Sequence, residues 1–296
     1  MVQEIQIKSS DMQQLSDTLT AMRYQEDKTS NNIDYFQTLK QNGINKSSEK
    51  MVDEVCREKM AIWFFQVIEF FSFSRIIPQI SMSYLDRFLG IEECSCTLND
   101  RRDYQLTAIC CLLLAVKIHQ PQRLELELLS HLSQGTYSIL EFKKKERDIL
   151  SALNWRMCIP TASCFASYYI ELLPKNLPLG VKEHIVYLSS LQIEYFIKDY
   201  YFSVFKPSLI ALSSILNAID ALKMSNTLVS QSFHRDLILI AGIPAGINIY
   251  DIQEKMRSHI QHWFPSTKKN INDKYDIMKH FSGIEITSNC IRSQQA

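Results

Sequence analysis

Glycine and proline are scarce in this chain: 7 and 8 residues among 296. Sheet-rich folds with many tight turns draw on both, so the scarcity leans toward helices. Net charge is lacking too, because 32 Lys and Arg balance 32 Asp and Glu. Nonspecific nucleic-acid binding needs a positive field to displace counterions, so a whole-chain nucleic-acid binder is disfavoured. The longest apolar run, 108–116, falls far short of the ~20 residues a bilayer crossing requires, so no membrane span is expected. The first residues, MVQEIQIKSSDMQQ, carry no basic-then-apolar signal region. Eight cysteines are present, but neither Cys94-Ser-Cys96 nor Cys110-Cys111 has the Cys-x-x-Cys spacing of a zinc site. They read as reduced thiols, several packed as small hydrophobes, in a protein of the nucleus and/or cytoplasm.

Recognisable catalytic chemistry is missing as well. The chain holds no Gly-x-Gly-x-x-Gly, no phosphate-binding Walker loop, no Gly-x-Ser-x-Gly elbow and no His-Glu-x-x-His. The seven histidines do not cluster at metal-ligand spacing. Cys158 and Cys164 sit in or beside apolar helical stretches, where a buried structural thiol is the expectation. No cofactor or metal is expected, and an interaction protein is the better reading than an enzyme.

What is present is helical periodicity on an ordinary globular composition, 46% hydrophobic and 22% charged. The length suggests about two domains. Met60, Trp63, Val67 and Phe70 or Phe71 recur at three- and four-residue steps with apolar residues between them, which predicts a central helix buried nearly all round. Further helices are predicted over 76–89, from Asp100 or Asp103 to about 119, over 124–132 and over 138–153. Pro160-Thr161 marks a break, after which the pattern restarts at 162–173, 182–199, 207–222, 232–241 and 251–263. The expectation is an all-α chain: a partly disordered or helical N-terminal arm over 1–50, a first lobe over 51–158, a second over 159–264, and a tail over 265–296. In the arm, helical turns are predicted around 11–22, ordered by packing on the body if at all.

Four segments in register carry a resemblance. They are Cys56-Arg57-Glu58-Lys59-Met60-Ala61-Ile62-Trp63; Tyr84-Leu85-Asp86-Arg87-Phe88-Leu89; Leu114-Ala115-Val116-Lys117 with Glu146 to Trp155 and Pro160-Thr161; and Phe205-Lys206-Pro207-Ser208-Leu209-Ile210-Ala211. Together they resemble the cyclin box, and Tyr-Leu-Asp-Arg-Phe-Leu is the common form in D-type and other G1 cyclins. The resemblance covers roughly 50–222 and extends weakly to about 264. It implies two tandem five-helix cyclin folds with flexible N- and C-terminal extensions. It also implies a non-catalytic subunit that binds and activates a cyclin-dependent Ser/Thr kinase, in cell-cycle control of the G1/S type. ATP and magnesium would belong to the kinase.

The resemblance also assigns residues. Arg57 and Asp86 match an internal salt bridge, and charges on largely apolar helices need such pairing. Lys117 and Glu146 match the pair that grips the kinase near its αC helix; one offers only donors and the other only acceptors, so together they satisfy opposite groups on a partner's main chain. Leu114, Ile118, Trp155 and Met157 match positions that pack on the kinase, and partly exposed Trp and Met are typical anchors. Cys56, Met60, Trp63 and Gln105 match a substrate-docking groove for kinase substrates or inhibitors. Lys59 and Gln66 replace an apolar residue and an acid there, making the groove less apolar and less acidic. The family often follows the Lys with an aromatic and two acids; here Ile118-His119-Gln120 follows, which alters electrostatic complementarity. Residues 143–145, all Lys, read as a solvated face. The alternative is another use of the same fold, a TFIIB-like or pocket-protein-like transcription factor or a transcriptional cyclin; further rivals are a helical enzyme with an unrecognised site and a helical-repeat scaffold.

Overall fold

The computed structural model of the chain describes residues 2–29, 33–41, 51–122, 124–133, 135–174, 177–222, 237–238, 242 and 248–260. Among these residues there are helices and no strand. Two helices lie within the region expected to be an arm: α1 (Val2–Thr29) and α2 (Tyr35–Gln41). The first lobe follows with α3 (Glu54–Phe71), α4 (Ile77–Leu89), a 3-10 turn (Glu92–Asn99), α5 (Arg101–His119), α6 (Leu126–Leu132) and α7 (Ile139–Ala152). The second holds α8 (Ala162–Glu171), α9 (Leu179–Phe196), the short α10 (Tyr200–Ser203), α11 (Pro207–Ala221) and α12 (Ile249–Ile260).

Local chemistry explains most of the helix ends. Asp53, Asp100 and Thr161 cap α3, α5 and α8 by accepting from the backbone N–H of Cys56, Arg102 and Cys164. Ser138 and Glu141 form a reciprocal capping box on α7. Pro78 and Pro207 occupy first-turn positions of α4 and α11, where a missing N–H costs nothing. Pro121 lies just beyond α5, whose end at His119 matches the sequence expectation.

The helix expected at the centre of the first lobe is not the central one. α3 buries a single stripe (Arg57, Met60, Ala61, Phe64, Val67 and Ile68) and turns Glu54, Glu58, Lys59 and Glu69 to solvent. The central rod is α5, buried without a break from Leu106 to Val116. Small Ala108, Cys110, Cys111 and Ala115 let the neighbouring helices approach it from all sides.

The second block contains the expected helices with α10 added, but the predicted helix over 232–241 falls outside the described residues apart from Leu237 and Ile238. The helix in the region expected to be an arm is longer than the turns predicted around 11–22, and it packs on the body. Leu19 and Met22 of α1 enter the second core cluster, and Tyr35, Phe36 and Leu39 of α2 enter the first. α11 has no cap from its own flank; Glu26 of α1 supplies one, accepting from Ser208 N–H and Ser208 Oγ at 2.7 Å each. Burial pushes the Glu26 carboxyl above its ordinary range, and the bonds from Ser208 only partly oppose that.

Candidate functional site

Arg57 is the most deeply placed cation near the proposed site residues, with 2% of its side chain exposed. Its Nε and Nη2 donate to Asp86 Oδ1 and Oδ2 at 2.9 and 2.7 Å. Its Nη1 reaches the carbonyls of Ile197 and Lys198 at 2.9 and 3.2 Å, beyond the C-terminus of α9. Tyr35 Oη donates to Asp86 Oδ1 at 2.9 Å. The expected pair between α3 and α4 is therefore a junction that also ties in the N-terminal segment and the second lobe. Burial alone would lower the Arg57 pKa; the Asp86 carboxylate outweighs it and drives it up. Two more polar clasps cross between the lobes: Arg75 bidentate to Glu194 at 2.7–2.9 Å, and Gln79 with Ser163.

Lys117 and Glu146, 29 residues apart, meet on the outside of the first lobe. Lys117 Nζ lies 2.6 and 2.8 Å from the two Glu146 carboxylate oxygens, and both side chains keep solvent contact. α5 places the lysine in its last turn and α7 places the glutamate mid-helix. The two residues satisfy only part of each other: the ammonium has three donors and the carboxylate about four acceptor sites. Ile118 beside them is 41% exposed, and Trp155 is 71% exposed.

Trp155 is presented by an unusual turn. After α7 the chain passes through two left-handed residues, Asn154 (φ 51°) and Trp155 (φ 59°). Asn adopts this region readily, whereas a Trp there costs about 1–3 kcal/mol and persists only where its surroundings impose it. The Trp155 N–H closes back on Leu150 O at 2.9 Å, terminating the helix.

Two residues expected to pack on a partner are not available to one. Leu114 and Met157 are only 2% and 6% exposed and belong to the first core. Leu114 lies on the all-buried stretch of α5, and Met157 turns inward as the linker leaves the Trp155 turn. They support the exposed face from beneath. Of the groove residues, Cys56 and Trp63 are half-buried, Met60 is buried and Gln105 is exposed, its Oε1 2.9 Å from Tyr137 Oη. Lys145 departs from the solvated face expected of 143–145: it pairs with Asp103 at 2.7 Å and is largely covered. Cys158, expected to be buried, is exposed, and Cys164 is half-buried; all seven described cysteines are free thiols.

Tyr84, like several other residues of the quoted segments, carries no role in its sequence pattern alone. Tyr84 is fully buried, and its hydroxyl donates to Met157 O at 2.7 Å and lies 3.2 Å from His119 Nε2. A buried phenol in an apolar stretch needs a partner, and that need was the available signal. Among the described residues, no group of three or more His, Cys, Asp or Glu could hold a metal, and no helix is long and apolar enough to cross a membrane.

Comparison with known proteins gives this arrangement a family. Residues 17–158 match the model of the cyclin N-terminal domain. Cyclin-A1-4 of Oryza sativa subsp. japonica is 28% identical over 205 residues, covering 68% of this chain and 52% of that protein. Cyclin-A2-1 of Arabidopsis thaliana is 26% identical over 178 residues, covering 60% and 39%. G1/S-specific cyclin-D3 of Homo sapiens is 28% identical over 168 residues, covering 56% and 54%. The matched stretch thus spans about half or less of each relative's own length. The X-ray structure of a viral cyclin from herpesvirus saimiri superposes with a TM-score of 0.55 at 20% identity, covering 73% of this chain and 88% of that one. The fold is the all-α cyclin fold. Residues 17–158 thus carry a cyclin box, and A-type and D-type cyclins are both among the chain's relatives.

Proposed function

We propose that this chain is a non-catalytic regulatory subunit that binds and activates a cyclin-dependent Ser/Thr kinase. The observation that carries the reading is the Lys117–Glu146 pair, an exposed lysine on a half-buried glutamate, on the lobe that also displays Ile118 and Trp155. A partner loop laid across it gains donors and acceptors together, and the flanking apolar side chains exclude water from those bonds. A kinase transfers phosphate efficiently only when its β3 Lys–αC Glu ion pair is formed. A rigid helical face that binds the αC-in state better than the αC-out state shifts the population toward activity by that differential affinity. The clasps from Arg57, Arg75 and Gln79 keep the two lobes from yielding when the kinase docks. The kinase-binding lobe is assigned to 51–158 and the second fold to 159–264. The interface is expected to reach roughly 2,000 Å², as in signalling assemblies.

Within the same reading, Cys56, Trp63 and Gln105 form the docking surface for kinase substrates or inhibitors, with the buried Met60 supporting it from the core. Cell-cycle control of the G1/S type, in the nucleus and/or cytoplasm, is the assigned setting; the D-type relatives support it and the A-type relatives leave it broader. Co-purification with a panel of cyclin-dependent kinases, followed by a kinase assay, tests the proposal. Retention and activation of at least one kinase is the expected result, and a chain that retains none overturns it.

A further inference from the structure

We propose that Tyr84 is a positioning residue of the kinase-binding face, its hydroxyl clamping the Trp155 turn to the end of α5 that carries Lys117 and Ile118. The inference rests on the kinase-binding reading above and adds a residue that never touches the partner. Two separate pieces of chain form that face, the last turn of α5 and the turn after α7. The described hydrogen bonds that span them at this point converge on one oxygen. Tyr84 Oη is 2.7 Å from Met157 O, two residues after Trp155, and 3.2 Å from His119 Nε2, two residues after Lys117.

The proton inventory fixes the direction of each bond. A phenol has one proton, and a carbonyl can only accept, so that proton goes to Met157. The remaining lone pair faces His119, whose Nε2 must then carry hydrogen. Burial lowers the His119 pKa and favours the neutral ring, consistent with an Nε2–H tautomer. Tyr84 itself is buried on α4, packed against α5, so the clamp is anchored in the core rather than on the surface. Such an anchor is what the left-handed Trp155 requires. A residue at φ 59° relaxes unless the chain beside it is held, and the Met157 N–H to Trp155 O bond of 3.0 Å passes the restraint from the carbonyl at 157 to the turn.

The test removes one oxygen. Tyr84→Phe keeps the ring and its packing but leaves the Met157 carbonyl and the His119 N–H without their partner. The binding arm uses the kinase retained in the pull-down. Tyr84→Phe is expected to weaken affinity about tenfold, and the loss should vanish when the same change is made in a Trp155→Ala background, because Tyr84 acts through the turn. The second arm needs no kinase. The full chain is labelled with 5-fluorotryptophan, and the residue-155 resonance is assigned with Trp155→Phe. Tyr84→Phe should shift and broaden that resonance while the Trp63 resonance stays fixed. His119→Ala, which removes the other arm, should produce a smaller change in the same direction.

Undiminished loss in the Trp155→Ala background, or an unmoved residue-155 resonance in folded Tyr84→Phe, overturns the proposal. If Trp155→Ala leaves kinase affinity intact, the kinase-binding reading fails at that residue, and the fluorine resonance still decides whether the clamp exists.

Discussion

Two of the oppositely charged pairs in the first lobe each span 29 residues of sequence and close to within 2.7 Å. The Arg57 cation is almost dry, with 2% of its side chain exposed against 19% for Asp86, and both members are engaged elsewhere: the guanidinium also serves two carbonyls of the second lobe and the carboxylate also takes the Tyr35 hydroxyl. The Lys117 cation is far wetter, at 36% exposed beside a Glu146 at 18%, and this pair holds only itself among the described residues. The difference lies in surroundings rather than in residue chemistry. A pair whose cation is buried and whose members bind further groups is committed to holding helices together, whereas a pair with a solvated cation and spare donors and acceptors contributes little to stability and can be redirected to a partner.

The comparison breaks most visibly at Arg57. Arg57→Ala strands the Asp86 carboxylate and frees two carbonyls, so urea unfolding should show a loss of about 3–5 kcal/mol. Lys117→Ala should behave oppositely: less than about 1 kcal/mol in the same unfolding experiment, but about 2–4 kcal/mol of kinase affinity by titration calorimetry, since the kinase desolvates what it leaves unpaired. Ser138→Ala sharpens the contrast on α7 itself. Loss of the cap should cost about 1 kcal/mol of stability, yet Glu146 lies two turns further on, so kinase affinity should barely change.

The smallest effect is a pH dependence at the N-terminal clasp. Burial raises the folded-state pKa of Glu26, so the folded protein holds that proton more tightly than the unfolded chain does. Its contribution is fully present below the unfolded carboxyl pKa and is lost as pH rises through the folded one. Glu26→Gln keeps an oxygen for Ser208 and removes the titration. The stability advantage of the variant over the wild type should therefore widen as pH climbs from 5 to 8 in paired thermal melts.

Helix order and most helix ends were legible in the sequence, because caps and prolines act locally: Asp100 and Pro121 bracket α5 to within two residues. Which helix is central was not legible. α3 and α5 are both rich in apolar residues, and only the assembled lobe shows that Trp63 and Phe70 keep solvent contact while Ala108, Cys110 and Cys111 do not. The anchoring of α1 and α2 was hidden for a similar reason. α1 is polar overall, and its hold depends on Leu19, Met22 and Glu26 meeting a surface about 180 residues away.

At the candidate site, the facing of Lys117 and Glu146 followed from their register. The burial of Leu114 and Met157 did not, since a stripe that supports a face and a stripe that forms one share the same spacing. The reach of Arg57 to Ile197 and Lys198 was likewise invisible, because backbone carbonyls leave no mark in a sequence.

The central claim is that Lys117 and Glu146 work on a partner rather than on the fold. It is tested most directly by titrating a cyclin-dependent kinase into the wild-type chain and into Lys117→Ala/Glu146→Ala, with helical content followed by circular dichroism. A loss of at least about a hundredfold in affinity, together with lost kinase activation and unchanged ellipticity, is the predicted result. Equal affinity and activation in the two proteins would contradict the account.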